Sequence, residues 1–538
     1  MARKPSDTKQ FYQYFDIPNI GNLSAGFPHP SFFPYDHIET KIAKPDRFRK
    51  VPSDECMPNV PSYLENGEVD RLSQSIGDLS TVLQYGTAQG YSPLRSFLRQ
   101  FTHEYIVRDI PYLDGPDIII SCGNTDGFSQ VLQLLTNTWS EGLDDVSERE
   151  GILCEEFSYT HAIQAAEPRG LQMVPVSVDA DGLVCIGPGG LEEVLAAWDT
   201  TKGKRPHLLY TIPTGQNPTG TVASMKRRKE IYAICSRYDI IIIEDDPCWH
   251  LNYPSAPRLE ASARGIPYST KRQENSFPKS SGIPYIDGME PSYLGLDVDG
   301  RVIRLDTFSK SIAPGCRLGW ITAQPAVTQS LFYITEASTA QASGFVQAMV
   351  AQLLMGSQHA AKSEFAQKSQ EEQDTFTNWD FENWLRWLEG VRGRYESRMN
   401  RMCAILEEGR HIQVTHDSPT QLFTFSWPRG GMSVWIRMNF HLHPLAGEFS
   451  GPALAHAMWR FMLQKPQRVL VTPGGMFSPT DKIRDERGWK YFRLCFAPVT
   501  EEELENTSRR FVLGVQAFWA INSRVEVEEI ERVDPFED

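Results

Sequence analysis

The chain has 538 residues, of which 41% are hydrophobic and 22% are charged, so it carries enough apolar side chains for two or more folded domains. Its formal net charge of −15 argues against a nucleic-acid surface as its main partner, because such a surface needs clustered Lys and Arg. The nine cysteines form no C-x-x-C pair, and no apolar run approaches the roughly 20 residues of a membrane span. We therefore expect a cytoplasmic protein with reduced thiols, no metal site and no membrane segment.

Strand-like and helix-like segments alternate through the middle of the chain. Helix-typical patterns predict helices at residues 91–105, 128–138 and 225–238, and from residue 160. Short apolar runs predict strands at residues 117–121, 151–154, 207–212, 239–244 and 302–305. The alternation indicates an α/β fold with a mainly parallel sheet covered by helices on both faces. Ligands bind such sheets beyond the carboxyl ends of the strands.

The rest of the chain predicts a second, smaller α+β domain. Polar helical sequence covers residues 357–399, and it is followed by predicted strands at 432–438 and 491–496 with helices near 451–464 and from 501. Residues 253–300 lack periodicity and are rich in Pro, Gly, Ser and Tyr, which predicts an insertion without regular structure. We expect an N-terminal segment over 1–75 that joins the small domain, a large domain over 76–355, and a linker helix with the small domain over 356–538. The small domain would then be built from both chain ends.

A lysine, two hydroxyls and an arginine follow the strand predicted at 302–305. They are Thr307, Ser309, Lys310 and Arg317, within the pattern T-x-S-K-x₃-P-G-x-R-x-G-W. A phosphorylated aldehyde needs an amine to form a Schiff base, and hydroxyls with a guanidinium to hold its phosphate. A lone lysine beside a turn would more simply be a surface residue, but this pattern is long. It resembles the cofactor-lysine signature of class I aminotransferases, which are fold type I enzymes of pyridoxal 5′-phosphate.

Polar residues follow four other predicted strands in positions that the same resemblance explains. Taken singly, Asp245 would be a loop residue, Asn217 a turn residue, and Tyr159 part of the core. Asn124 and Thr125 precede a helix, whose N-terminus favours phosphate, although a helix cap would explain them too. The resemblance implies that Asp245 pairs with the pyridinium nitrogen and that Asn217 donates to the phenolic oxygen. It also implies that Asn124 and Thr125 bind the phosphate and that Tyr159 stacks on the ring.

Three further matches concern the substrate and a second subunit. Tyr85-x₄-Gly-x₃-Leu-Arg resembles the family segment whose tyrosine reaches the cofactor phosphate of the neighbouring subunit, which implies a homodimer with shared active sites. The sequence LSAGFPHP resembles the family's capping segment, so Gly26 would lie over the substrate. Arg493, in YFRL, matches the arginine that binds the substrate α-carboxylate, and the resemblance implies that Asn217 binds the substrate too. On residue pattern alone, this arginine would be a solvent-facing position of a strand.

The resemblance extends from about Asn22 to Phe496. Within the family, the sequence is most similar to fungal aromatic-amino-acid aminotransferases, which are relatives of the kynurenine and α-aminoadipate enzymes. It implies the aspartate aminotransferase fold and pyridoxal 5′-phosphate as cofactor, bound by the large domain. The implied reaction converts an aromatic amino acid to its 2-oxo acid, with 2-oxoglutarate as acceptor, in ping-pong order. One position departs from the family: Cys248 stands where relatives have a tyrosine that donates to the phenolic oxygen.

Two other classes of function fit parts of the same sequence. The first is another reaction catalysed by fold type I enzymes, such as that of a β- or γ-lyase or a synthase. Arg493 and the similarity of the motifs to those of aromatic-amino-acid aminotransferases favour transamination. The second is a transcription regulator with an inactive aminotransferase-like domain. Such regulators carry a basic winged helix-turn-helix ahead of the fold, and here the capping segment begins near residue 23. The presence of Lys310, Asp245, Asn217 and Arg317 also favours an active enzyme.

Overall fold

The structure, a computed structural model of the chain, carries two domains. It describes residues 11–24, 26–34, 82–107, 112, 115–268, 280–356, 358–413 and 419–536. The predicted boundary at residue 75 lies outside these ranges, and the division into 1–75, 76–355 and 356–538 stays a prediction. Within the ranges described, no helix combines the length and the hydropathy that a membrane span requires.

A seven-stranded sheet forms the centre of the large domain. Its strands are β1 (Asp117–Ser121), β2 (Gly151–Glu155), β3 (Gln172–Val176), β4 (Leu208–Thr211), β5 (Ile241–Asp245), β6 (Val302–Thr307) and β7 (Gly319–Ala323). Their order is β1-β7-β6-β5-β4-β2-β3, and only β7 runs antiparallel to its neighbours. The mainly parallel sheet is confirmed, and each predicted strand lies within two residues of an observed one. Strands β3 and β7 were not predicted.

Both faces of this sheet are buried, because neighbouring side chains on a strand point to opposite sides. Ile242 belongs to a core that includes Ile231 and Ile234 of the helix Met225–Tyr238. Ile243, the next residue, belongs to a different core that is shared with the helix Asn124–Leu135. The continuous apolar runs that predicted the strands therefore reflect burial on two sides.

The helices of the two domains follow the alternation expected from the sequence. Those that precede residue 356 are Ser92–Phe101, Asn124–Leu135, Thr160–Ala166, Leu191–Ala196, Met225–Tyr238, Ala256–Ala263, Pro284–Asp287, Pro325–Ser338 and Gly344–Met355, and a π-helical turn Thr102–Val107 extends the first. Those that follow are His359–Ala366, Gln370–Asp374, Glu382–Gly409, Gly451–Leu463, Asp481–Glu486, Glu501–Ala520 and Arg524–Arg532.

The small domain has an antiparallel sheet of four strands. They are β8 (Phe423–Phe425), β9 (Ser433–Met438), β10 (Thr472–Pro473) and β11 (Tyr491–Cys495), in the order β8-β9-β11-β10. The N-terminal segment joins this domain: Gly21–Asn22 pairs in parallel with Val469–Leu470, and Leu23 is fully buried in the same core. The small α+β domain is therefore built from both chain ends, as predicted.

The region 253–300 is more regular than its composition suggests. It contains the helix Ala256–Ala263, so the expectation of an insertion without regular structure is wrong here. Glu260 on this helix forms an ion pair with Arg429 of the small domain, with 2.6 Å between Oε2 and Nη2. Tertiary contacts of this kind stabilise a helix whose own pattern is weak. Residues 269–279 lie outside the described residues.

Candidate active site

A cavity opens at the carboxyl ends of the parallel strands, between the central sheet and the small domain. Residues after β1, β2, β4, β5 and β6 line it, together with the N-terminal segment and strands β9–β11. The structure brings together every predicted site residue except Tyr85: Gly26, Asn124, Thr125, Tyr159, Asn217, Asp245, Thr307, Ser309, Lys310, Arg317 and Arg493.

Lys310 lies just beyond the end of β6, with its side chain inside the cavity. Its Nζ donates a hydrogen bond of 2.7 Å to the carbonyl oxygen of Gly26, in the segment that resembles the family's cap. Burial lowers the pKa of Lys310, and the nearby positive charges of Arg493 and Arg317 act in the same direction. A lowered pKa increases the fraction of neutral amine, which is the form that attacks a carbonyl or accepts a proton.

Asp245, the last residue of β5, is buried and held by two neutral donors. Its Oδ1 accepts from Nδ2 of Asn124 at 2.5 Å, and its Oδ2 accepts from the hydroxyl of Tyr210 at 2.6 Å. Burial raises the pKa of Asp245, while these hydrogen bonds and Arg304 partly offset the shift. A buried carboxylate that faces a cavity is suited to pair with a cationic ring nitrogen.

A cluster of donors forms a candidate phosphate cradle at the start of the helix Asn124–Leu135. Gly123 precedes this helix with φ of 95°, and a Cβ atom there would lie 3.0 Å from Nη2 of Arg317. Arg317 also reaches the hydroxyl of Ser309, at 3.5 Å, and the Thr307 and Ser309 hydroxyl oxygens are 3.0 Å apart. A helix N-terminus, a guanidinium and two hydroxyls are the groups that bind phosphate. The residues present therefore fit a phosphorylated cofactor.

Arg493 comes from β11 of the small domain and reaches across the cavity to two other chain segments. Its Nη1 donates to Oδ1 of Asn217 at 2.8 Å, and its Nη2 donates to the carbonyl oxygen of Ser24 at 2.5 Å. The guanidinium also lies over the ring of Phe477, 4.7 Å from the ring centroid. These contacts fix the plane of a group that can bind a carboxylate with two parallel hydrogen bonds.

Apolar side chains that sequence reasoning missed form part of the cavity wall. Phe11 and Phe15 come from the N-terminal segment, and Met476 and Phe477 come from the turn Gly474–Phe477. No local pattern marks Phe11 or Phe15, because only the pairing of the N-terminal segment with the small domain brings them to the site. The turn lies within TPGGMF, whose resemblance to a family segment was the one available signal.

Tyr85 lies outside the cavity of its own chain. It is 87% exposed, and it does not line the cavity that all the other predicted site residues line. The predicted contact between Tyr85 and the cofactor phosphate of a neighbouring subunit therefore stays a prediction.

Cys248 occupies the cavity wall close to Asp245 and Lys310, at the position where the family resemblance implies a tyrosine. Burial raises the pKa of its thiol to about 12, so the thiol stays protonated at neutral pH. A thiol is a weak hydrogen-bond donor. The neighbouring Trp249 does not line the cavity. It packs on Phe101 in the large-domain core, with the ring centroids 5.7 Å apart, and so does not replace the missing phenol.

A buried ion cluster supports the end of β5. Arg304 forms ion pairs with Glu244 at 3.0 Å, Asp246 at 3.2 Å and Asp306 at 2.8 Å, and all four side chains are almost fully buried. Such a cluster is destabilised strongly when one partner is removed. It holds the two residues on either side of Asp245, and so fixes where this carboxylate lies.

Another buried carboxyl, that of Glu155, lies behind the cavity at the carboxyl end of β2. Its Oε1 accepts from the hydroxyl of Thr211 at 2.6 Å and from the amide of Ile212 at 3.0 Å. Burial raises the pKa of Glu155 to about 7, and the negative charge of Asp245 adds to this shift. The carboxyl groups of Glu155 and Asp245 are therefore more stable when they are protonated or when a cation lies nearby.

The fold and the lysine–carboxylate–guanidinium arrangement define an enzyme of the fold type I class. The model of the family "Aminotransferase class I and II" matches residues 59–511, and the chain belongs to this family. It is 30% identical to an aromatic amino acid aminotransferase of Schizosaccharomyces pombe, over 91% of this chain and 90% of the relative. It is also 30% identical to an L-tyrosine:2-oxoglutarate aminotransferase of Tapinella panuoides, over 82% and 73%. The crystal structure of aminotransferase Aro8 from Candida albicans is similar, with a TM-score of 0.65, 27% identity and 97% of each chain covered.

We expect the substitution Glu155→Gln to change how stability depends on pH. The pKa of Glu155 is about 7 in the fold and roughly 4.3 in an unfolded chain. Protonated Glu155 therefore stabilises the protein at low pH, and this stabilisation is lost as the pH rises through about 7. Glutamine keeps both accepted hydrogen bonds but stays neutral. Relative to wild type, the variant should gain roughly 2 kcal/mol of unfolding free energy between about pH 5 and pH 8.

Urea denaturation at the two pH values measures this difference, and the exposed Glu141→Gln substitution is the matched control. If the difference in unfolding free energy between Glu155→Gln and wild type does not vary with pH, the pKa of Glu155 is not raised in the fold.

Proposed function

We propose that this aminotransferase uses pyridoxal 5′-phosphate to transfer the amino group of an aromatic amino acid to 2-oxoglutarate, in ping-pong order. The observation that carries the proposal is the convergence of Lys310, Asp245 and Arg493 on one cavity. The names of the relatives support the choice of substrates, since those relatives are aromatic amino acid and L-tyrosine:2-oxoglutarate aminotransferases. The apolar wall formed by Phe15, Met476 and similar residues supports an aromatic donor.

The cofactor would be held at its two ends and on its face. The helix N-terminus at Asn124 and Thr125, with Arg317, would bind its phosphate. The buried carboxylate of Asp245 would pair with its ring nitrogen, and Tyr159 would stack on the ring. Two further groups fit the same pose: the Ser309 hydroxyl near the phosphate and the Asn217 amide near the phenolic oxygen. When bound, pyridoxal 5′-phosphate supplies an aldehyde for amines and a ring that takes up the electrons of a broken Cα–H bond.

Lys310 would hold the cofactor covalently between turnovers and move the proton during turnover. Its neutral amine, which burial favours, accepts the proton from the substrate α-carbon and later returns it. Arg493 fixes the substrate carboxylate, and this sets the direction of the Cα–H bond relative to Nζ of Lys310. Gly26, whose carbonyl oxygen accepts a hydrogen bond from Nζ of Lys310, would lie over the bound substrate.

We also propose that the enzyme works in the cytoplasm. The described cysteines are all free thiols, and six of them are buried. Unpaired thiols are typical of proteins in a reducing compartment.

The substitution Lys310→Ala should abolish transamination and weaken cofactor binding. The amine is the predicted covalent attachment point, so its loss removes both the bond to the cofactor and the group that carries the proton. We expect activity to fall by at least about 10³-fold and the dissociation constant for pyridoxal 5′-phosphate, measured by fluorescence titration, to rise. Lys362→Ala, on a helix away from the cavity, is the matched control. Unchanged turnover in Lys310→Ala would exclude the assignment.

The substitution Arg493→Lys should impair substrate binding while the cofactor stays bound. Lysine keeps the positive charge but cannot form two parallel hydrogen bonds with a carboxylate. We expect kcat/KM for phenylalanine to fall by roughly 10- to 100-fold, with cofactor affinity unchanged. Arg437→Lys, an exposed position of β9, serves as the control. An unimpaired kcat/KM would mean that another group holds the α-carboxylate.

We propose that the working form is a homodimer with shared active sites, because Tyr85 is exposed and lies outside its own cavity. Tyr85→Phe removes the hydroxyl that would reach the partner's phosphate, and it should weaken cofactor binding without changing the dimer. Sedimentation velocity measures the oligomeric state, and fluorescence titration measures the affinity. Full activity in a monomer would refute the shared site.

A further inference from the structure

A ping-pong aminotransferase must bind two different side chains in one cavity. Under the proposed function, on which this inference rests, the donor brings a neutral aromatic ring and the acceptor brings a second carboxylate. A carboxylate that leaves water needs a cation or several hydrogen-bond donors. A fixed positive charge in the same place would, in turn, be buried against the aromatic ring without a partner.

The described residues offer few cations for this task. The side chains of the cavity wall that can be positively charged are those of Lys310, Arg317, Arg493 and His161. Under the proposed function, Lys310 attaches the cofactor, Arg317 binds its phosphate and Arg493 binds the substrate α-carboxylate. His161 was not singled out by the sequence, because it matches no motif and follows Tyr159 by only two residues.

His161 is placed where a substrate side chain could meet it. It lies in the first turn of the helix Thr160–Ala166, and its Nδ1 is 2.6 Å from the hydroxyl of Tyr159. The two rings meet edge to face with their centroids 5.1 Å apart. The Thr160 hydroxyl donates to the carbonyl oxygen of Met476 at 3.3 Å, which ties this turn to the apolar wall on the small-domain side. His161 thus lines the same cavity as Tyr159, which it contacts, and as Met476, to which the residue before His161 is hydrogen-bonded.

We propose that His161 binds the distal carboxylate of the dicarboxylic oxo-acid acceptor. Histidine is the side chain that exists in neutral and protonated forms near neutral pH. The protonated ring donates a charge-assisted hydrogen bond to the carboxylate. The neutral ring leaves no uncompensated charge beside an aromatic donor substrate. The Tyr159 hydroxyl, held by the same histidine, supplies a second donor at this position.

The substitution His161→Leu tests the proposal because it removes the charge and the N–H groups at similar volume. Single-turnover kinetics of the aminated holoenzyme would be compared for 2-oxoglutarate and for phenylpyruvate, which lacks a distal carboxylate. We expect kcat/KM for 2-oxoglutarate to fall by about 10- to 100-fold, and that for phenylpyruvate by less than about 3-fold. The exposed His441→Gln is the matched control.

Ligand binding provides a second readout that does not depend on turnover. Glutarate, a dicarboxylate, should bind the wild-type holoenzyme more tightly than butyrate, and His161→Leu should remove most of that difference. His161→Gln, which keeps a neutral donor, should show an intermediate loss and replaces His161→Leu if the latter does not fold.

Two results would overturn the proposal. An equal loss for 2-oxoglutarate and phenylpyruvate would mean that His161 acts only by positioning Tyr159, and no loss would place the distal carboxylate elsewhere. Tyr159→Phe helps to separate these cases, since it breaks the contact with His161 while the histidine stays. Failure of the wild-type enzyme to react with phenylalanine or phenylpyruvate would instead refute the aromatic donor, and a selective loss for 2-oxoglutarate would still support the role of His161.

Discussion

The carboxylate of Asp245 at the end of β5 is the constraint around which the site is built. A buried negative charge is costly unless donors or a cation compensate it. Asn124 and Tyr210 each donate one short hydrogen bond, at 2.5 and 2.6 Å, and Arg304 adds a positive charge nearby. Asn124 follows β1, Tyr210 lies on β4 and Arg304 lies on β6, so the strand order determines which groups surround the carboxylate on β5. A cationic ring nitrogen in the cavity would complete the compensation.

The strand order explains why residues distant in sequence meet at one place. The parallel strands β4, β5 and β6 are neighbours, and the cavity residues that follow them include Asn217, Cys248 and Lys310. Antiparallel β7 separates β6 from β1, and Arg317 in the turn before β7 therefore reaches the carbonyl oxygen of Cys122, just after β1, at 3.3 Å. The small domain then adds Arg493 from β11 and Gly26 from the N-terminal segment. The large domain thus holds the groups proposed to bind the cofactor, and the small domain brings to them the guanidinium proposed to bind the substrate carboxylate.

The sequence predicts those parts of the fold whose burial is local and uniform. Strands such as β1 and β5 are apolar on both faces, so their runs of isoleucine are unambiguous. Strand β3 was missed because Gln172–Val176 lies at the sheet edge and contains a proline, which within a sheet is confined to edge strands, strand starts and bulges. The helix Ala256–Ala263 was missed because its stabilising contacts lie on the other domain. His161 was missed because it matches no motif, and only the tertiary structure places it in the cavity wall.

The central claim is that Lys310 is the amine that holds pyridoxal 5′-phosphate. Borohydride reduction of the holoenzyme followed by proteolysis and mass spectrometry tests it most directly, because reduction makes the bond between lysine and cofactor permanent. The expected result is a pyridoxyl phosphate adduct on the peptide that contains Lys310, at close to one adduct per chain. An adduct on a different lysine, or a reduced holoenzyme that carries no adduct, would contradict the account.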